Sequence, residues 1–235
     1  MIISRAAEQC GQADYGWLQA RYTFSFGHYF DPDLLGFASL RVLNQEVLAP
    51  GASFQPRTYP RVDILNVVLQ GHAEYRDSNG NHTRAKAGEA LLLATQPNIS
   101  YSEHNISDDT PLTRLQLWLD ACPTRENQCT QRLRLEDERP YQLLASPDES
   151  ANTLHLRQQV WIHHLNLAAG EQQNLTLNGN RAYLQSIYGS LRINGNTAAI
   201  PNVLHCGDGA FVQQENSLIV QAETATRVLL IDLVV

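Results

Sequence analysis

Lysine is almost missing from this chain of 235 residues: sixteen of its 17 basic side chains are arginines and one, Lys86, is a lysine. An amine nucleophile could only be Lys86, which argues against Schiff-base chemistry. Methionine occurs once, and the four cysteines contain no Cys-x-x-Cys, so a zinc ribbon or a thioredoxin-type centre is not expected. No apolar run approaches the ~18–20 residues that a membrane span requires. The opening Met1-Ile-Ile-Ser-Arg-Ala6 lacks the apolar stretch and cleavage site of a secretion signal. A cytoplasmic location is therefore expected, where structural disulfides are uncommon. A net charge of −7 opposes a nucleic-acid or anionic-membrane surface, because either needs a dominant basic face. There is no P-loop, no Gly-x-Gly-x-x-Gly and no Gly-x-Ser-x-Gly.

Helical periodicity is missing as well. No segment keeps an i, i+3, i+4, i+7 pattern for the ~12 residues that a helix would need. The periodicity present is that of strands. Residues Thr113–Leu119 alternate strictly, and Val62–Leu69, Val160–Leu167, Arg181–Tyr188 and Arg227–Val235 are short apolar or β-branched runs bounded by turn residues. One β unit occurs twice. Around Gly71 the chain reads strand, Gly, strand, Asn79-Gly80, strand, then Gly88-Glu89-Ala90. Around Gly189 it reads strand, Gly, strand, Asn194-Gly195, strand, then Gly207-Asp208-Gly209-Ala210. Each Asn-Gly predicts a hairpin turn. The expectation is an all-β chain of two tandem antiparallel barrels: residues 1–119 including an N-terminal arm, a polar connector over 120–150, and residues 151–235.

A Gly-bounded strand pair followed by Gly-Asp/Glu is the second half of a cupin motif, so the chain resembles a bicupin, and over nearly its full length a member of the pirin family. The segments that carry the resemblance are Arg5–Glu8, Asp14–Leu18, Thr23–Gly27, Arg41–Asn44, Pro50-Gly51, Tyr75–Gly80, Ser102-Glu103, Leu115–Trp118, Ala145–Asp148 and Leu229–Leu233. Metal-dependent pirins bind one Fe-type ion in the first cupin. The resemblance implies a His-x-His pair six residues beyond the Pro-Gly, a third His thirteen residues after the Gly-Glu turn, and a Glu two residues later. In this chain those positions hold Arg57, Tyr59, Tyr101 and Glu103. A guanidinium stays cationic and cannot ligate a metal, and neutral phenols are poor substitutes for imidazole. The chain is thus expected to be a divergent member without metal or other cofactor. The quercetin 2,3-dioxygenase activity of some members, which needs the metal, is not expected.

In place of the ion, Arg57 is expected to pair with Glu103 inside the first barrel. Spare donors of Arg57, Tyr59 and Tyr101 would then hold a small anion or organic acid; a self-satisfied polar plug is the alternative. The histidines offer no second metal site. His163 and His164 are adjacent on one strand and face opposite ways, His72 and Glu74 are only two groups, and the second barrel reads as structural. Of the cysteines, Cys10 lies in the arm, Cys206 beside Gly207-Asp208, Cys122 at a strand end and Cys129 in the connector. They are either inert thiols or redox-responsive ones, through a Cys10–Cys206 bridge or sulfenic acid at Cys122. Three functions stay open: a non-catalytic redox- or stress-responsive protein, a binder of small anions, and a residual dioxygenase.

Overall fold

The computed structural model describes residues 1–126, 130–148, 152–196 and 202–234. Among these residues the chain is all-β, as the alternation predicts, with 22 strands and one 3-10 turn, Ala7–Gln9. The strands of the first half are β1 (Ile2–Arg5), β2 (Gly11–Asp14), β3 (Leu18–Tyr22), β4 (Leu40–Leu48), β5 (Ser53–Thr58), β6 (Val62–Gln70), β7 (His72–Asp77), β8 (His82–Lys86), β9 (Glu89–Ala94), β10 (Ser100–Asn105), β11 (Leu112–Asp120) and β12 (Thr130–Arg134). Those of the second half are β13 (Tyr141–Ser146), β14 (Leu154–His155), β15 (Val160–Leu167), β16 (Gln172–Thr176), β17 (Arg181–Tyr188), β18 (Leu191–Gly195), β19 (Asn202–Leu204), β20 (Gly209–Gln213), β21 (Ser217–Ala222) and β22 (Thr226–Leu233). Among the described residues no helix is long and apolar enough to cross a membrane.

The chain divides into two compact units: Gly11–Arg134 with Leu154–Gln158, and Met1–Cys10 with Leu135–Thr153 and Gln159–Val235. In the first unit one sheet runs β12-β9-β6-β11-β4-β3-β2 and the other β5-β10-β7-β8. In the second unit the strands run β1-β20-β17-β22-β15-β13 and β16-β21-β18-β19. From β12 to β3 and from β1 to β13 the orders correspond strand for strand, as do those of the two smaller sheets, so the repeat read from the sequence is a repeat of topology. At its centre Gly71 and Gly189, with φ of 82° and 81°, each link two successive strands that belong to different sheets, β6 to β7 and β17 to β18. A Cβ at either would lie 2.6 Å from the Pro111 carbonyl oxygen or 2.1 Å from that of Ala225, so both positions demand glycine.

The boundaries differ from those expected. The arm does not belong to the first barrel: β1 pairs with β20, Arg5 opposite Gly209, and fills in the second unit the edge that β12 fills in the first. Nor is the connector a plain loop, because β12 joins β9 and β13 joins β15. Their polar residues conceal the alternation that edge strands need on only one face. Gly195 also differs. It ends β18 without a positive φ, and a Cβ there would lie 2.4 Å from the Glu215 carboxyl carbon, so close approach rather than a hairpin turn requires glycine.

The cores of the two units are unlike. The second is filled by apolar side chains such as Leu184, Leu191, Ile193, Val220 and Leu230. In the first, Tyr22, Ile64, Tyr75 and Leu91 pack with aromatic neighbours around a polar centre. A separate clasp holds Leu154–Gln158 onto the first barrel. The fully buried Arg157 donates from Nε to Asp63 at 2.7 Å, from its backbone N–H to the same carboxylate at 2.6 Å, and to the carbonyls of Thr95 and Val62.

His163 and His164 diverge as expected. His163 shares a 3.0 Å hydrogen bond with the Tyr141 hydroxyl. His164 is fully buried, and both its ring nitrogens lack a partner among the described residues. Burial first, then the charge of Arg227, holds its pKa down at about 4. Between pH 6.5 and 4 the unfolded chain therefore binds a proton that the folded chain refuses, so stability falls as the pH falls through that window. The loss amounts to about 3 kcal/mol at its full extent. Urea unfolding of His164→Leu should show a flatter pH dependence between these values than the parent; an unchanged slope would place the acid sensitivity elsewhere.

Candidate functional site

The interior of the first barrel is polar because three neighbouring strands aim polar side chains inward. On β11, Arg114, Gln116 and Trp118 share one face. Gln116 stands opposite Asn44 of β4 and Asn66 of β6, and Arg114 stands opposite Glu46. From the other sheet β10 brings Glu103 and β7 brings Tyr75. Arg114 is the hub. Its Nε and Nη2 donate to Glu46 at 3.1 and 2.8 Å, and its Nη1 donates to the Tyr75 hydroxyl at 3.1 Å and forms an ion pair with Glu103. Arg114, Glu46 and Glu103 are 1%, 2% and 3% exposed, so nearly the whole ion-pair network is shielded from water. Burial opposes the guanidinium charge, but Glu103, Tyr75 and Glu46 outweigh it and raise its pKa well above the usual value.

Amides extend this network. Gln116 donates to Glu103 at 3.2 Å and to Asn66 at 2.9 Å, and it accepts from the Trp118 indole at 3.0 Å. Asn44 Oδ1 and Asn66 Nδ2 are buried without a partner among the described residues, leaving one acceptor and one donor unused beside the network. Above it lie aromatic rings: Tyr59 meets Trp118 edge-on at 5.2 Å, Phe26 meets Trp118 at 5.5 Å, and Trp17 meets Phe54 at 5.1 Å.

The four positions singled out from the sequence lie on adjacent strands or at their ends, yet not in the expected arrangement. Tyr101 stands opposite Arg57, and Glu103 opposite Phe54, so β5 carries an extra residue between those pairs. The irregularity falls at Gln55-Pro56, where proline has no N–H to give the ladder. Arg57 consequently lies at the exposed rim, its guanidinium carbon 5.0 Å from the Phe54 ring centre and 5.9 Å from that of Tyr59. The expected Arg57–Glu103 pair is replaced by Arg114–Glu103. Tyr59 is half-buried, and burial reinforced by Glu103 pushes its phenol pKa up. Tyr101 is buried, with its hydroxyl accepting the Gln96 backbone N–H at 3.2 Å. Arg114, Glu46, Gln116 and Asn66 were missed in the sequence. The sequence shows Arg114 and Gln116 only as polar residues alternating with Leu115, Leu117 and Leu119 on β11, a pattern that a solvent-facing strand shares.

On the outer face of β7 and β8, Glu74 accepts from Arg76 at 2.6 Å and Arg84 at 2.7 Å, with His82 at 3.6 Å. The two arginine hydrogen bonds hold its pKa at about 2. His72 shares this face but is not in that group. None of Cys10, Cys122 and Cys206 is in a disulfide. The Cys206 thiol donates to the Ile187 carbonyl at 3.2 Å. Cys122 lies 3.4 Å from the Thr124 hydroxyl, and that contact, the Thr124 backbone and the Arg125 charge lower its pKa. Cys129 lies outside the described residues.

A sequence model of the pirin family matches residues 3–119, and one of the quercetinase C-terminal cupin domain matches residues 143–233. The chain belongs to the pirin family and carries two cupin domains. It is 65% identical over 236 residues to the pirin-like protein YhaK of Escherichia coli K12, covering 99% of each chain. It is 33% identical over 237 residues, again 99% of each, to a quercetin 2,3-dioxygenase of Escherichia coli O157:H7. Among solved structures, YhaK from Escherichia coli aligns with a TM-score of 0.82 at 64% identity, over 97% of this chain and all of that one. The pirin YhhW from Escherichia coli in complex with nickel(II) aligns with a TM-score of 0.91 at 30% identity, over 99% of each chain.

The residues here do not fit a divalent transition ion. The family's ligand positions offer a guanidinium, two phenols and one carboxylate, and that carboxylate is ion-paired with Arg114. Among the described residues no three His, Cys, Asp or Glu side chains converge to hold a metal. The hub makes a stability prediction. Arg114→Met should cost about 3–5 kcal/mol in urea unfolding, because it strands two buried carboxylates, whereas the exposed Arg57→Ala should cost under about 1 kcal/mol. Equal small losses would show that Arg114 is not the hub.

Proposed function

We propose that this pirin-family bicupin works without a metal, as a non-catalytic binding protein that takes a small organic acid at the rim of its first barrel. The observation that carries the reading is the buried Arg114, whose guanidinium engages the Glu103 carboxylate that a metal would need. The network below the rim has two carboxylates for one guanidinium, so an anion gains nothing by entering it. Arg57 at the rim is the cation such a ligand would meet. Its carboxylate pairs with the guanidinium while an apolar planar body packs on Phe54, Tyr59 and Trp118.

The probe is benzoate, added to protein stripped of metal. Benzoate should raise the melting temperature saturably, and Arg57→Ala should remove most of that shift. A shift that Arg57→Ala leaves intact would defeat the rim site. Nickel(II), iron(II) and copper(II) should bind at well under one equivalent, with no quercetin turnover; stoichiometric metal together with turnover would establish the dioxygenase reading instead.

A redox-responsive role in the cytoplasm rests on a separate observation, the lowered pKa and partial exposure of Cys122. Its thiolate would attack hydrogen peroxide, forming sulfenic acid and releasing hydroxide. Cys10 and Cys206 stand close to one anchor, since Ala7 N–H and His205 N–H both donate to Asp208 at 2.8 Å, and a bridge between them would fasten the arm to β20. After brief peroxide treatment, trapping with a sulfenic-acid reagent and mass mapping should mark Cys122 first. An unmodified Cys122 under excess peroxide would end this reading.

A further inference from the structure

A second cationic site lies outside the barrel interior. The edge of the smaller sheet, β8, and the edge of the larger sheet, β12, run past one another without pairing, and Arg132 ties them by donating from Nη1 to the Arg84 carbonyl at 3.0 Å. Beside this tie is an open cavity of about 310 Å³ lined by His72, Arg84, Lys86, Glu89, Ile106 and Arg132. His72 and Lys86 are register partners, and Arg84 shares the Lys86 face, so the three side chains converge. We propose that this seam binds a small phosphate monoester.

Three permanent cations meet here in a chain of net charge −7, and one of them is its single lysine. Arg84 spends its Nε on Glu74 at 2.7 Å and keeps its terminal nitrogens at a side chain 71% exposed. Lys86 and Arg132 form no ion pair with a carboxylate among the described residues. Glu89, the one acid in the lining, has an oxygen occupied by the Lys86 backbone N–H at 2.9 Å. Arginine forks and a lysine point charge around one volume suit an oxyanion with several equivalent oxygens, which a phosphate supplies and a lone carboxylate does not. The cavity exceeds what a tetrahedral ion fills, and the exposed Ile106 gives the remainder an apolar wall against which an organic group would rest.

Titration calorimetry of the full chain at constant ionic strength tests this with glycerol phosphate, inorganic phosphate and acetate. Glycerol phosphate should bind at one saturable site, more tightly than inorganic phosphate, with acetate weakest. Lys86→Ala and Arg132→Gln should each weaken it about tenfold, and Lys86→Glu should abolish it. Arg139→Ala, which removes a cation from the other unit, should change nothing. Lys86 is exposed, so its variants should keep the parental urea midpoint, and amide shifts on β8 would confirm the location by NMR. Binding unaltered by Lys86→Glu, or none up to about 10 mM, would overturn the proposal. Equal affinity for inorganic phosphate would overturn its organic part.

Discussion

A guanidinium removed from water must find fixed negative partners or the strand that carries it will not stay in place. Arg114 meets that requirement with Glu46 on one side and Glu103 on the other, and with the Tyr75 hydroxyl at a third donor. The consequence reaches across both sheets of the first barrel: β11 and β4 from one, β10 and β7 from the other, are tied to a single planar group. Removing the guanidinium would leave two buried carboxylates without their shared cation. The cation that organises this space belongs to the chain itself.

The second unit repeats the strand order without the polar centre. Leu184 and Leu230, paired across β17 and β22, stand where the first barrel pairs Asn66 with Gln116, and Leu165 stands opposite Val228 where Glu46 stands opposite Arg114. Its dependence on the rest of the chain is of another kind. The strand beside β20 comes from the extreme N-terminal segment, so closing that sheet joins residues more than 200 positions apart. The first unit solves the same edge problem with β12, drawn from the linking segment. Each barrel is therefore completed by a strand lying outside its own hairpin repeat.

Much of this was legible in the residues. Alternation located the long central strands, and Gly71 and Gly189 marked the repeat because a positive φ and a nearby carbonyl leave no room for another side chain. The edge strands were hidden: an edge strand needs few apolar residues, and Thr130–Arg134 offers only one, Leu133. The candidate site was half legible. The family's spacing led to Arg57, Tyr59, Tyr101 and Glu103, but spacing assumes an unbroken ladder, and the extra residue near Pro56 turned Arg57 out to the rim. Arg114 stood in plain view on a strictly alternating strand. Polar residues alternating with leucines look like a solvent face, and only knowledge that both faces of β11 are covered turns them into an interior.

The placement of positive charge then separates three environments that composition alone had merged. Arg114 is buried and satisfied, and serves the fold. Arg57 is exposed at the rim, with its guanidinium over the Phe54 and Tyr59 rings. Arg84, Lys86 and Arg132 gather at a seam where no strand pairing competes for their donors. With so few lysines, the chain relies on arginine wherever a fixed fork is useful. The lone ammonium, of Lys86, stands beside two such guanidinium groups at that seam.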